Sequence, residues 1–327
     1  MSCYAVIGMG SIAKRHLANL KLLHPEDKIY SVSASGRNNE LPGHADAVIS
    51  LEQLLAEKPV YAIIASPAPY HVTTAKRLLE KGIAVLVEKP LSDSFNACEE
   101  LLHCIQELDT NMVSVGYCLR FLPSAQIVKN YLDSGSLGNV YNIESNVGQF
   151  LPGWRNDKNY KDSVSAQKEL GGGALLELSH ELDYLFWFLD DLELQHSWLR
   201  TTDELNLDVE EIADLVLTTT SGTYISVHLD FIQKSTQRNC EFIGEKGRLV
   251  WDIIANSVTL FHATGTETLY SEPEYNKNGM YIDMLQAFEN VKNAGISHLA
   301  TVETASKVVK LIEDAKQYNK WKWRRIA

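Results

Sequence analysis

The chain opens on a short apolar run, residues 3–7, that ends in Gly8-Met9-Gly10-Ser11-Ile12-Ala13. An uninterrupted apolar run of this length suits a strand buried on both faces, the habit of parallel sheets. The GxGxxA that follows narrows the fold further. Its first glycine permits a tight turn and its second lets the backbone approach a pyrophosphate. The third position must be small so that helix and strand can pack. An amphipathic stretch to Leu23 then reads as a helix, whose unpaired N–H groups suit phosphate. A plain strand-to-helix turn would also satisfy the glycines. The position after a strand, before a helix and at the chain start favours the dinucleotide reading. Gly8, Gly10, Ser11, Ile12 and Ala13 are therefore candidate cofactor-binding residues.

Further strands are expected at residues 29–33, 61–65, 84–87 and 112–115, with helices over 72–80 and 94–108. That alternation implies a doubly wound parallel sheet, in which ligands bind beyond the carboxyl ends of the strands. Residues 8–13, Arg37, Ser66-Pro67, His71 and Glu88-Lys89-Pro90 all fall at that edge. No carboxylate follows the 29–33 strand to hold a ribose hydroxyl. Arg37 is placed to pair with a 2′-phosphate, which favours NADP over NAD. Ser66, Pro67, His71, Glu88 and Lys89 complete the cofactor set. Lys89, between an apolar strand and a proline, suits proton exchange with a substrate hydroxyl; the plainer alternative is a surface lysine paired with Glu88.

The remaining sequence fits a second domain. The 327 residues exceed one comfortable core. Residues 1–121 are expected to form the dinucleotide domain and 122–327 a substrate-binding and oligomerisation domain, with the C-terminal helix able to pack back on the first. A helix is expected over 122–132 and a strand over 140–150. A polar-aromatic loop to residue 170 then carries Trp154, Arg155, Tyr160, Lys161, Ser165 and Lys168, of which Trp154, Arg155 and Tyr160 are candidate substrate contacts. The 175–188 stretch reads as one helix buried by Leu178, Leu182, Leu185 and Phe186, with Glu181 and Asp183 solvated. His180-Glu181 does not begin HExxH, because Tyr184 stands at the last position, and no metal is expected. Repeated strand signals over 194–270 read as a half-exposed antiparallel sheet, with Ile225, Val227, Leu229 and Phe231 on one face. Helices over 281–293 and 302–318 close the chain.

The net charge of −12 disfavours nucleic acid and anionic membranes as partners. Five cysteines without CxxC spacing fit reduced thiols. No run approaches the roughly 20 apolar residues of a membrane helix. The N-terminus lacks the features of a signal peptide, so a cytoplasmic location is expected.

Several motifs together resemble the Gfo/Idh/MocA oxidoreductases. They are Gly8-x-Gly10-x-x-Ala13-x-Arg15-His16, Ser66-Pro67-x-Pro69-x-His71, Glu88-Lys89-Pro90, Gly116-Tyr117-x-x-Arg120-Phe121-x-Pro123 and Ser136-Leu137-Gly138. The resemblance implies an N-terminal Rossmann domain, then an α/β domain with a large, open, mostly antiparallel sheet that often joins subunits into a dimer or tetramer. It also implies a nicotinamide cofactor, NAD or NADP, and hydride transfer at a hydroxyl or carbonyl carbon of a sugar, sugar acid or nucleotide sugar. Lys89 and His180 become the proton-transfer pair. Lys89, Tyr117, Arg120, Trp154, Arg155, Tyr160 and His180 become the substrate set. Glu177 is the third catalytic candidate, but the family usually has aspartate four residues before the histidine. In this chain Glu177 stands three before His180, which still shares a helix face and leaves its role open. Two other readings remain: a sensor that kept the dinucleotide site, and a hydrolase or lyase that uses bound NAD transiently.

Overall fold

The apolar run at the start forms strand β1 (Cys3–Ile7), and the glycine motif turns directly into helix α1 (Ser11–Leu23). The structure, a computed structural model, describes residues 2–33, 40–154, 159–290, 298–318 and 324–326. The chain separates into two units. Unit 1 comprises Met1–Tyr117 with Tyr281–Val309, and unit 2 comprises Cys118–Met280 with Lys310–Ala327. The first unit thus draws on two stretches of the chain, the second of them residues 281–309. His24 Nε2 lies 2.7 Å from Glu289 Oε1, and the Tyr61 hydroxyl donates to the same oxygen at 2.8 Å. The Val115 N–H donates to the Ala300 carbonyl at 2.9 Å.

Unit 1 is built on β1, β2 (Lys28–Val32), β3 (Ala47–Ile49), β4 (Tyr61–Ile64), β5 (Ala84–Glu88) and β6 (Val113–Gly116). They pair in parallel in the order β3-β2-β1-β4-β5-β6. The chain runs outward from β1 to β3 and then returns beside β1 with β4. The β1–β4 boundary is therefore the topological switch point, where doubly wound sheets bind ligands. The central strands have almost no exposed residue, as a sheet covered on both faces requires.

In unit 1 two of the described elements, β3 and a helix after it, escape the sequence reading. Strand β3 has only three residues, too few for a pattern. Helix α2 (Leu51–Glu57) begins with a capping box: the Ser50 side chain accepts from the Gln53 N–H while the Gln53 side chain accepts from the Ser50 N–H. Ser50-x-x-Gln53 is the sequence signal that could have found it. Helices α3 (His71–Leu79) and α4 (Phe95–Glu107) lie within two residues of expectation.

Unit 2 opens with helix α5 (Pro123–Asp133) and strand β7 (Val140–Gly148). The expected 175–188 helix is two helices, α6 (Ala174–Glu177) and α7 (His180–Leu189), separated at Leu178 and Ser179. Strands β8 (Glu193–Thr202), β9 (Ile212–Thr218), β10 (Tyr224–Asp230), β11 (Gln237–Gly244), β12 (Gly247–Asp252), β13 (Ser257–His262) and β14 (Gly265–Ser271) follow. Helices α8 (Gly279–Glu289) and α9 (Val302–Tyr318) precede a last strand, β15 (Arg324–Ile326). The sheet order is β14-β13-β12-β11-β7-β10-β9-β8-β15. Among the described residues only the β7–β10 and β8–β15 pairs of this sheet are parallel. The expected large, mostly antiparallel sheet is therefore present, though not as a simple meander.

One face of this sheet is the core. Ile225, Val227, Leu229 and Phe231 are buried on it as their alternation predicts. Helix α7 packs there: Tyr184 meets Trp251 edge-on at 5.0 Å, and Phe188 meets Phe242 at 5.9 Å. Each such ring contributes about 1.5–3 kcal/mol on burial. Two pairs of buried polar groups meet here, with Ser145 Oγ 2.6 Å from the Tyr184 hydroxyl and Trp251 Nε1 donating to Ser124 Oγ at 2.8 Å.

Candidate active site

In unit 1 the two glycines of the motif play different parts. Gly8 has φ +130°, and a Cβ there would lie 2.3 Å from the Ala65 carbonyl oxygen just past β4. This close approach of β1 to β4 needs glycine whatever binds nearby. Gly10 differs: its φ of −76° and ψ of −177° are open to any residue, and a Cβ would meet nothing within 4 Å among the described residues. The fold makes no demand for glycine at 10, so the open space in front of it is a cradle that a side chain would fill. Ala13 is fully buried under α1. Ser11 is exposed and Ile12 half-buried at the helix start, and the first turn of α1 holds no acidic residue. The first-turn N–H groups and the helix dipole therefore favour an anion. Next to Gly8, beyond β4, the Ser66 hydroxyl is buried with no hydrogen-bond partner among the described residues. An open cradle, an undemanded glycine and an orphaned hydroxyl at the switch point fit a dinucleotide. Arg37 lies outside the described residues.

Lys89 follows β5 at the same sheet edge and is half-buried. Both of its neighbours are pinned. Glu88, 6% exposed, sets Oε1 2.6 Å from Nε2 of the fully buried His16 on α1. Its other oxygen, Oε2, accepts the Lys89 main-chain N–H at 3.2 Å. Gly116, opposite Glu88 on β6, leaves the carboxylate room, since a Cβ there would lie 3.3 Å from Oε1. On the other side, the Pro90 carbonyl oxygen lies 3.0 Å from Nδ1 of buried His71, whose Nε2 lies 2.7 Å from the Ser66 carbonyl oxygen. Burial lowers the His71 pKa below the ordinary histidine value, against the pull of these carbonyls and of Glu88. Glu88 and His71, read from sequence as cofactor contacts, thus spend these polar atoms on the protein itself. Pro67 precedes a short turn into α3, and Tyr117 is buried at the end of the unit's first segment.

In unit 2 the glycine-rich segment is threaded tightly. Gly173 has φ +110°, and a Cβ on it would lie 2.4 Å from Glu210 Oε1. Glu210 receives the Ala174 N–H on its carbonyl at 2.9 Å and the Leu175 N–H on Oε1 at 3.2 Å. This buried carboxylate caps α6, which carries Glu177, and Glu177 Oε2 accepts from Ser165 Oγ at 3.1 Å. His180, half-buried, is the first residue of α7.

The sequence reading of Glu181 and Asp183 as solvated is overturned, because both are fully buried. Arg238 grips Glu181 through Nε at 2.6 Å and Nη2 at 3.1 Å. Arg120 grips Asp183 through Nε at 2.9 Å and Nη2 at 2.7 Å. Burial raises the Asp183 pKa and Arg120 opposes that shift. Arg120, expected to touch substrate, is itself 4% exposed and engaged in this pair. Neither acid could be matched to its cation from sequence, since the partners stand 57 and 63 positions apart.

The loop after β7 encloses a cavity of about 140 Å³ lined by Leu151, Trp154, Tyr160, Asp162, Ser163 and Ser165, among others. That is room for one small ring. Trp154 Nε1 is buried with no hydrogen-bond partner among the described residues, while the Tyr160 hydroxyl donates to the Leu205 carbonyl at 3.1 Å. Arg155 lies outside the described residues. Among the described residues no cluster of His, Cys, Asp or Glu is arranged to hold a metal ion, and no helix is long and apolar enough to cross a membrane.

Residues 3–117 match the oxidoreductase family profile described as an NAD-binding Rossmann fold, GFO_IDH_MocA, and residues 125–250 match the GFO/IDH/MocA C-terminal domain. An inositol 2-dehydrogenase of Rubrobacter xylanophilus is 23% identical over 251 residues, covering 74% of this chain and 69% of the relative. A levoglucosan dehydrogenase solved with NADH and levoglucosan has a TM-score of 0.81 at 18% identity, over 98% of this chain and 97% of that one. The WlbA dehydrogenase of Bordetella pertussis, solved with NADH and UDP-GlcNAcA, has a TM-score of 0.76 at 18% identity, again over 98% and 97%. At these identities the structural likeness speaks for the fold, while the profile matches in both halves speak for descent. The chain therefore belongs to the Gfo/Idh/MocA family of NAD-binding oxidoreductases.

Proposed function

We propose that the chain moves a hydride between a nicotinamide cofactor and a hydroxyl or carbonyl carbon of a sugar, sugar acid or nucleotide sugar. The observation that carries this reading is the cradle before Gly10, which the fold does not need, on the same sheet edge as Lys89. The amides of Ser11, Ile12 and Ala13 would hold the diphosphate, with the Ser66 hydroxyl nearby. When bound, the cofactor supplies or accepts the hydride. The chain's part is to place the substrate and to carry the proton of its reacting hydroxyl, a task that falls to Lys89 and His180. Trp154 and Tyr160 give the substrate an aromatic wall, and the unpartnered indole N–H suits a sugar oxygen. Arg155 completes the proposed substrate set, and Glu177 supports His180. The relatives named for inositol and levoglucosan, and the WlbA dehydrogenase solved with UDP-GlcNAcA, support the substrate class.

The sequence argument for NADP rests on Arg37, whereas the levoglucosan and WlbA dehydrogenase structures hold NADH. Parallel fluorescence titrations with NADH and NADPH, on wild type and Arg37→Ala, decide between them. A cofactor-coupled screen with myo-inositol, levoglucosan, UDP-N-acetylglucosamine and the matching acids tests the reaction. Turnover that survives Lys89→Ala and His180→Ala undiminished removes both residues from the proton path. The sheet face opposite α7 exposes Trp198, Tyr224, Ile243 and Phe261. We assign it to contact between copies of the chain, to be checked by light scattering of Trp198→Glu beside wild type.

A further inference from the structure

We infer that His16 is a positioning residue for Lys89, acting through Glu88, so that the helix seating the dinucleotide also sets the lysine's backbone. The inference rests on Lys89 as a carrier of the substrate proton and extends that reading to a residue with no expected role. His16 is fully buried in the second turn of α1, the helix whose N-terminus faces the glycine cradle. Its Nε2–H donates to Glu88 Oε1 at 2.6 Å, and its Nδ1 has no hydrogen-bond partner among the described residues. The imidazole therefore has one polar task, holding Glu88. That carboxylate in turn spends Oε2 on the Lys89 amide at 3.2 Å, one residue along the chain. A Glu88 side chain swung away from His16 therefore carries its second oxygen away from this amide as well.

A buried carboxylate–imidazole pair is weak evidence of stabilisation, since taking both groups from water offsets most of their attraction. The local geometry favours positioning. The pair links α1 to the strand end that carries Lys89, and Gly116 leaves the carboxylate the space to make both bonds. Pro90, on the far side of Lys89, is itself buried, with its carbonyl oxygen 3.0 Å from Nδ1 of the buried His71 ring. Fixing the residues on both sides restricts where the lysine side chain can start from, which is how a second layer of contacts holds a reacting group in place.

Hydrogen exchange read by mass spectrometry tests this directly, with NADH as the probe. In wild type, peptides covering residues 84–94 should exchange slowly at the Lys89 amide and more slowly with NADH. His16→Phe should speed that amide by about tenfold or more while leaving Val85, Leu86 and Val87 unchanged, a local opening rather than unfolding. NADH affinity, read by fluorescence, should change by less than about threefold, and His16→Gln, which restores a donor, should recover slow exchange. Glu88→Gln, nearly identical in shape, serves as the second variant and should also release the amide. Wild-type exchange in both His16→Phe and Glu88→Gln overturns the inference and leaves the cofactor reading intact. Failure of wild type to bind NADH or NADPH overturns the reading itself. With a substrate in hand, His16→Phe should lower kcat far more than it changes KM.

Discussion

Arg120 holds Asp183 in a two-pronged ion pair, 2.9 and 2.7 Å, from which water is almost wholly excluded. The guanidinium also lies 5.6 Å over the Trp187 ring. Both acids of α7 face the core with an arginine each, which orients the helix whose first residue is His180. Removing one partner strands a buried charge. Arg120→Met should therefore cost about 3–5 kcal/mol in urea unfolding. The double variant Arg120→Met/Asp183→Leu should recover most of that loss, because apolar pairs of like size replace buried ion pairs at little cost. A double variant as weak as the single one contradicts this account of the pair.

The two motif glycines should separate stability from binding. Gly8→Ala forces a side chain against the Ala65 carbonyl at positive φ, which costs about 1–3 kcal/mol in backbone strain alone. At Gly10→Thr the Cβ meets nothing within 4 Å among the described residues, the dihedrals are allowed, and threonine caps a helix about as well as glycine. Its melting temperature should match wild type within a few degrees. Its NADH affinity should fall by about tenfold or more, near 1.4 kcal/mol, because the methyl and hydroxyl fill the cradle. Equal affinity in Gly10→Thr argues against a diphosphate at this turn.

What was legible in the chain, and what was not, follows from the range of the interactions involved. The β1 turn into α1 is written in six consecutive residues, and Tyr224 to Phe231 alternates because one face of β10 is core. The Glu88 contact with His16 spans 72 positions, and the Glu210 contact with Leu175 spans 35. No local pattern separates a carboxylate awaiting such a partner from a solvated one, so Glu181, Asp183 and Glu210 looked ordinary. Helix α7 is apolar on nearly every side, so no break in periodicity marks the interruption at Leu178 and Ser179.

His71 should leave a mark on acid stability. Its pKa is lowered in the folded chain by burial, so the folded state refuses a proton that the unfolded state accepts. Above about pH 6.5 both states are neutral at this residue and it has no effect. As pH falls below that value the unfolded chain binds the extra proton and stability is lost, by at most about 1.4 kcal/mol per pH unit for one site. His71→Gln removes the titration while keeping a donor for one carbonyl. Urea midpoints at pH 7 and pH 5.5 should therefore differ less in the variant than in wild type. Equal falls mean that His71 does not carry the proton linkage.

Glu210 offers the sharpest test of how the α6–α7 segment is held. It is 1% exposed, it receives the first two N–H groups of α6, and Lys316 on α9 approaches its Oε1 at 3.5 Å. A carboxylate at a helix start answers both the unpaired amides and the dipole. Glu210→Ala should cost about 1–2 kcal/mol, the usual range for a lost cap. Gly173→Ala should cost more, since it drives a methyl group into that carboxylate at a φ that alanine avoids. Glu177 and His180 lie on the helices beyond this cap, so both changes should disturb them together. If His180 exchanges the substrate proton, Glu210→Ala should lower kcat while NADH affinity stays near wild type, because the cofactor cradle belongs to unit 1. A variant that loses stability as expected but keeps full kcat would show that the cap serves the fold alone, and that the position of His180 does not depend on it.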